Sequence, residues 1–286
     1  MRRVIALFVF CLFIITGIAR ANSVRMKTLT VGDYIDDVIN IRVYPHQILI
    51  YQNTIYGDIE RDDEDFGIIV APQEKFGSFA CWHTDRFNLG YARSLFKFDI
   101  GGFGSPIKDH LQFGFGIGRA FFTRRLDFSF ISNGEANKEW YQLNLRFSRR
   151  KGDFVIVPKY TLTNYFDQPP EYVNHRIGFL LQRLILNEGF VYIAPEYQIN
   201  EGDIRDDFSY FYAGLELPLN KTFVLRFGSM EKLSEEFELM EMNVEPGIGL
   251  RIREFNIDFH LNKKRLADED APLIDAFGVD LNFGRF

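Results

Sequence analysis

Cysteine is almost absent: two occur in 286 residues, Cys11 and Cys81. Cys11 lies inside an expected leader, without the small residues that precede a lipoprotein cysteine, so the exported chain keeps Cys81 alone and no internal disulfide can staple it. Long apolar runs are also missing. Beyond the leader no stretch reaches the roughly 18 consecutive apolar residues of a membrane helix, which excludes a helical membrane protein. Metal-ligand spacings are lacking, since the histidines at 46, 83, 110, 175 and 260 form no H-E-x-x-H. The glycine-rich stretches Gly101–Gly104 and Gly114–Gly118 lack the Lys-Ser/Thr ending of a phosphate loop. No metal and no cofactor is expected. Basic surplus is absent too: the formal charge is −6, and −9 once the three leader arginines are removed. An acidic chain is a poor partner for nucleic acid.

What is present begins with a targeting signal. Arg2 and Arg3 form a positive n-region, Val4 to Ile15 an apolar core, and Ala19-Arg20-Ala21 an A-x-A cleavage site, with no acidic residue before Asp33. Residues 1–21 are therefore expected to be a cleaved signal peptide.

Aromatic residues are abundant, with 31 Phe and 13 Tyr, and they recur at every second position. Tyr141, Leu143, Leu145 and Phe147 alternate with Gln142, Asn144, Arg146 and Ser148; Phe255, Ile257, Phe259 and Leu261 alternate with Asn256, Asp258, His260 and Asn262. Leu126, Phe128 and Phe130, and Phe223, Leu225 and Phe227, repeat the pattern. Strict alternation puts one set of side chains on each face of a strand. A soluble sandwich alternates as well. Phe on the apolar face and mixed Arg, Asp, Asn, Gln and Gly on the other fit lipid outside and a polar lumen inside. Residues 111–118 set Leu, Phe, Phe and Ile against Gln112, Gly114, Gly116 and Gly118, a nearly bare face suited to a crowded interior.

Ten strands are expected near 124–131, 138–148, 153–163, 172–185, 190–199, 207–217, 221–229, 237–251, 254–262 and 275–286. Most reach the roughly 9 residues that a tilted strand needs to cross the hydrocarbon core. Four more are read at 66–71, 76–83, 86–99 and 111–121, with a phase shift between Tyr91 and Phe96 that implies a bulge or a tight hairpin. Alternation over Ile48–Gln52 suggests another near 46–56. Because bacterial single-chain barrels have even strand counts, the expectation is an all-β, closed antiparallel transmembrane β-barrel of about 14 strands over 46–286, with 12 or 16 as alternatives. Residues 22–45 precede it as a periplasmic or plug segment.

Longer polar connections at 132–137, 164–171, 200–206, 230–236 and 263–274 alternate with brief ones at 149–152, 186–189, 218–220 and 252–253. Long loops outside and short turns inside would leave Phe286 in the periplasm. The acidic groups Asp203, Asp206, Asp207 and Asp268, Glu269, Asp270 then lie in solvated outer loops. Lumen-facing candidates are Arg125, Asp127, Arg146, Arg226, Arg251, Asp258 and His260, with Arg253, Glu216 and Glu238, forming ion pairs across the interior. His260 near Asp258 is the best candidate for an enzymatic base, with Ser129, Ser148 or Ser209 as nucleophile, but no pattern brings a serine beside it. No catalytic residue is assigned. The function expected is binding or passage of a small, hydrophobic molecule at the outer membrane; the alternative is a non-catalytic scaffold barrel of a secretion or envelope complex.

The chain's end, Phe277-Gly-Val-Asp-Leu-Asn-Phe-Gly-Arg-Phe286, resembles the last strand of bacterial outer-membrane proteins. That resemblance implies that Phe286 is an assembly signal, that the partners are the barrel-assembly machinery and outer-membrane lipid, and that the location is the outer membrane. The apolar set Phe277, Val279, Leu281 and Phe283 is one residue out of the usual phase. More narrowly, fourteen strands after an N-terminal segment resemble the fatty-acid transporter superfamily, in which such a segment plugs the lumen. Tyr44-Pro45-His46 stands where that superfamily has Asn-Pro-Ala, without the Asn or the Ala, so no binding residues are carried over.

Overall fold

The computed structural model describes residues 24–60, 64–84, 86–106, 110–135, 138–166, 170–185, 189–266 and 271–283. The expected leader and Phe286 lie outside them, as do Asp268, Glu269 and Asp270. Sixteen antiparallel strands close into one barrel. They are β1 Thr54–Glu60, β2 Glu64–Gln73, β3 Gly77–His83, β4 Phe87–Leu95, β5 Phe98–Gly104, β6 His110–Phe121, β7 Arg124–Glu135 and β8 Lys138–Lys151. The second half is β9 Phe154–Phe166, β10 Tyr172–Leu184, β11 Phe190–Gly202, β12 Phe208–Pro218, β13 Phe223–Leu233, β14 Leu239–Ile252, β15 Phe255–Leu261 and β16 Ile274–Asn282. Each strand pairs with its sequence neighbours, and β1 closes on β16 from Thr54 opposite Asn282 to Glu60 opposite Ala276. Closure leaves no unpaired edge, which a wall in hydrocarbon requires.

The count of fourteen is corrected to sixteen for two local reasons. The stretch read as one strand over 86–99 is a hairpin: Phe96 and Lys97 have φ of 51° and 70°, the left-handed pair of a tight two-residue turn. That turn is the physical origin of the phase shift. The sixteenth strand, β1, starts only at Thr54, because Pro45–Leu49 forms a 3-10 turn instead of pairing. Strands also extend further into the longer connections than expected: β7 continues to Glu135, β9 to Phe166 and β11 to Gly202. The asymmetry between the two barrel ends is correspondingly smaller. It persists at 262–273, opposite two-residue turns at 96–97, 122–123, 152–153 and 253–254. We call these the loop end and the turn end.

Alternation decides which face is which. Phe113, Phe115, Phe128, Leu145, Ile177, Phe179, Phe211 and Phe227 are exposed on the outside, while their neighbours Asp127, Asn144, Arg146, Glu196, Glu216 and Arg226 are buried inside. A water-soluble sandwich would bury the first set and expose the second.

The interior is not empty. Helix α1 (Val24–Leu29) packs against β12 to β16, and after 3-10 turns at Gly32–Tyr34 and Val38–Arg42 the Pro45–Leu49 turn packs against β3 to β6. The segment therefore crosses the bore. One apolar cluster joins its Met26, Leu29, Val31 and Tyr34 to Val157, Leu180, Phe190 and Tyr192 of the wall. Another joins Val38, Ile41 and Ile48 to Tyr56, Ile69, Trp82 and Phe103. The bare glycine face also has its reason: a Cβ on Gly101 would stand 2.6 Å from the Pro45 carbonyl oxygen, and one on Gly116 would stand 2.6 Å from Nδ1 of His46. Only hydrogen fits there.

Candidate functional site: the occupied lumen

Register sets the electrostatics. Asp127 on β7 is opposite Arg146 on β8, and Arg146 is opposite Lys159 on β9. Gly178 on β10 follows at this level, then Glu196 on β11. Two cations are thus adjacent on the wall, and the N-terminal segment supplies the acids that balance them. Arg146 donates to Asp127 Oδ2 at 2.8 Å, to Asp36 Oδ1 at 2.6 Å and to the Asp33 carbonyl at 2.8 Å, with its guanidinium 4.7 Å from the Tyr44 ring centre. Lys159 donates to Asp33 Oδ1 at 2.7 Å and lies 3.4 Å from Glu196. Burial by itself would raise the Asp33 carboxyl, but Lys159 and then Arg146 override it and hold it below the ordinary carboxylate range. Tyr34 donates to Glu196 at 3.0 Å. Burial and that carboxylate push the phenol above its usual range, so it stays a donor.

His46, at the tip of the segment and fully buried, places Nε2 2.7 Å from Asp127 Oδ1. Arg125 donates to the same oxygen at 2.7 Å. Across the bore the signs reverse. Glu216 on β12 is opposite Arg226 on β13 and accepts from it at 2.7 Å, from Arg251 at 3.0 Å and from Arg25 of α1 at 2.8 Å. Arg25 also bonds Asp37 at 3.0 Å, and Arg226 bonds Asp258. Buried charges of this kind persist only when paired. Here wall and segment complete each other.

All seven lumen candidates therefore face inward, and six of them fall into two networks. Arg125, Asp127 and Arg146 meet on one side; Arg226, Arg251 and Asp258 meet on the other. His260 belongs to neither. Its Nε2 is 2.5 Å from Glu245, with Lys263 at 3.0 Å from the other carboxylate oxygen, and its Nδ1 is 3.5 Å from Asp275. Asp258 is spent on Arg226, so the pairing imagined for an enzymatic base is not assembled. Two further candidates are corrected: Arg253 sits in the turn before β15 with φ of 54°, and Glu238 is exposed in the connection after β13. Sequence reading missed His46, Lys159, Glu196 and the acids Asp33, Asp36 and Asp37. The dense acidic cluster at 33–37, in a segment with little alternation, was the available signal. Among the described residues no group of three His, Cys, Asp or Glu could hold a metal ion.

Toward the loop end the bore opens into a cavity of about 410 Å³. Gly32, Asp33, Asn40, Arg42 and Val43 of the segment form its floor, and β8, β9 and β10 its wall.

No family model matches the sequence, and no curated protein matches it. Solved structures do. A bacterial polysaccharide outer-membrane secretin superposes with a TM-score of 0.52 at 9% identity, covering 81% of this chain and 97% of that one. A loop-deletion mutant of OmpT, an outer-membrane protein of Vibrio cholerae, gives 0.50 at 9% identity, covering 80% and 96%. The fold is that of an outer-membrane β-barrel. At such identity the likeness is one of architecture. The narrower resemblance to fatty-acid transporters rested on fourteen strands, and sixteen remove that ground.

Proposed function

We propose that this chain is a non-enzymatic outer-membrane channel closed by its own N-terminal segment, which binds or passes a small water-borne solute entering at the loop end. The observation that carries the reading is the charge match between segment and wall: Asp33 and Asp36 against Lys159 and Arg146 on one side, Arg25 against Glu216 on the other. A segment whose apolar contacts are joined by ion pairs and hydrogen bonds can exchange that polar part for water and counter-ions, which a segment held by apolar contact alone cannot do. On the wall side the cavity above the segment presents Gln142, Asn144, Thr161, Thr163, Asn174 and Arg176, whose amides, hydroxyls and charge favour a solute with polar groups of its own over a wholly apolar one. In this reading residues 1–21 are a removed signal peptide, residues 22–53 the plug, and the wall sits in outer-membrane lipid after the barrel-assembly machinery reads Phe286.

Planar-bilayer conductance tests it. The intact protein should be mostly closed, and deletion of residues 22–50 should give a steady ion-conducting pore. A folded deletion barrel that conducts nothing would sink the channel reading. The two apolar clusters that also anchor the segment favour a second reading, a permanently sealed scaffold barrel. That reading requires a stoichiometric envelope partner to co-purify with a barrel that never opens.

A further inference from the structure

The wall of the loop-end cavity on β8 to β10 carries two transverse rows of polar side chains, set by strand register, and both rows continue behind it onto β11. Nearer the rim, Gln142 is opposite Thr163, Thr163 opposite Asn174, and Asn174 opposite Asn200. One level down, Asn144 is opposite Thr161, Thr161 opposite Arg176, and Arg176 opposite Gln198. The level above is aromatic, with Trp140 opposite Tyr165 and Tyr165 opposite Tyr172. The two tyrosine rings stack at 4.5 Å. We propose that this face is a binding site for a neutral saccharide, one or two pyranose units long, which deepens the channel reading by naming its solute.

Three properties argue for that class. The polar groups are ordered beforehand: Gln142 and Thr161 both donate to Asn144 Oδ1, at 2.7 and 3.1 Å, and Asn174 and Gln198 both donate to Asn200 Oδ1, at 2.6 and 3.2 Å. Fixed amides and hydroxyls are complementary to a ligand that is itself a ring of hydroxyls, and an apolar molecule would strand them. Second, the side chains that line the cavity itself, Gln142, Thr161, Thr163 and Asn174, combine donors and acceptors, as a hydroxyl-rich ligand requires. Third, the nearby charges are balanced. Arg42 pairs with Asp65, Lys159 with Asp33 and Glu196, and Arg176 stands 3.7 Å from Glu196. No cationic surplus calls for an anion. The aromatic level supplies faces for the C–H side of a pyranose, and the volume lies within the usual range for small-ligand sites.

Intrinsic fluorescence of the full-length protein in detergent reads this site, because the chain has two tryptophans, one buried as Trp82 and the other at the aromatic level as Trp140. Titration with maltose, cellobiose, diacetylchitobiose and digalacturonate should give a saturable change with at least one neutral disaccharide. Calorimetry should return the same dissociation constant. The Gln142→Ala, Asn174→Ala double variant should bind that sugar about tenfold more weakly, with heat-modifiable gel migration confirming a folded barrel. A folded protein silent to all three neutral disaccharides overturns the site; tighter binding of digalacturonate than of any neutral sugar overturns its neutral character; unchanged affinity in the double variant overturns its location. Sugar binding by a barrel that never conducts would leave the site standing and remove the channel. Conductance by the deletion barrel without sugar binding would do the reverse.

Discussion

Arg146→Met is the substitution that bears most directly on the closed lumen. The guanidinium holds wall to wall through Asp127, and wall to segment through Asp36 Oδ1 and the Asp33 carbonyl at 2.6 and 2.8 Å. It is 2% exposed, whereas Asp36 is half-exposed, so the two bonds to the segment are not equal. Charge-assisted hydrogen bonds contribute about 1.5–3 kcal/mol each where buried, and exposed partners contribute less. Losing both, together with the Tyr44 stacking, should weaken docking of the segment by about 3 kcal/mol. Methionine fills part of the vacated volume, and Asp127 keeps His46 and Arg125, so the barrel itself should persist. A loss of about 3 kcal/mol raises the undocked population by roughly a hundredfold. In a planar bilayer the variant should open in bursts at a frequency about two orders of magnitude above the parent. A folded variant with the parent's opening frequency would show that apolar contact alone sets closure, and the ion-pair reasoning would fail.

Gly101→Val should act at the other end of the segment, because the new side chain meets the Pro45–His46 backbone; overpacking of about 1–3 kcal/mol should make residues 24–53 protease-sensitive while the wall resists. For pH, the depressed Asp33 carboxyl contributes stability that is fully present above its unfolded value near 4 and is lost as pH falls through the lower folded value. Hydrogen exchange in the segment should therefore accelerate below about pH 4, and Asp33→Asn should be faster at neutral pH and flatter across that window. On the outside, Leu145→Lys should lower refolding stability into liposomes by about 2–4 kcal/mol if its level is mid-bilayer; a neutral effect would count against lipid on that face.

Strand periodicity was legible because the two solvents of a barrel wall impose a period of two on every strand. Phe128, Leu145 and Phe227 face out and Asp127, Arg146 and Arg226 face in for that reason alone, and the inward-facing candidates followed from it. The hairpin at Phe96–Lys97 was visible only as a phase error, since two bulky residues with positive φ carry no turn signature of the kind Asn-Gly does. The segment before β1 was least legible. Its alternation over Ile48–Gln52 is strand-like, yet Pro45–Leu49 turns inside the bore, where Ile48 meets Trp82 and Gly90.

The sequence by itself determined the class of fold and the inner and outer faces, because these depend on neighbours two residues apart. Only the tertiary structure decided that His46 meets Asp127, that Arg25 meets Glu216 and that Gly101, Gly116 and Gly118 leave room for the Pro45–His46 turn. Those contacts join residues 81 and 191 positions apart, and barrel closure, not local pattern, sets which of them share a level.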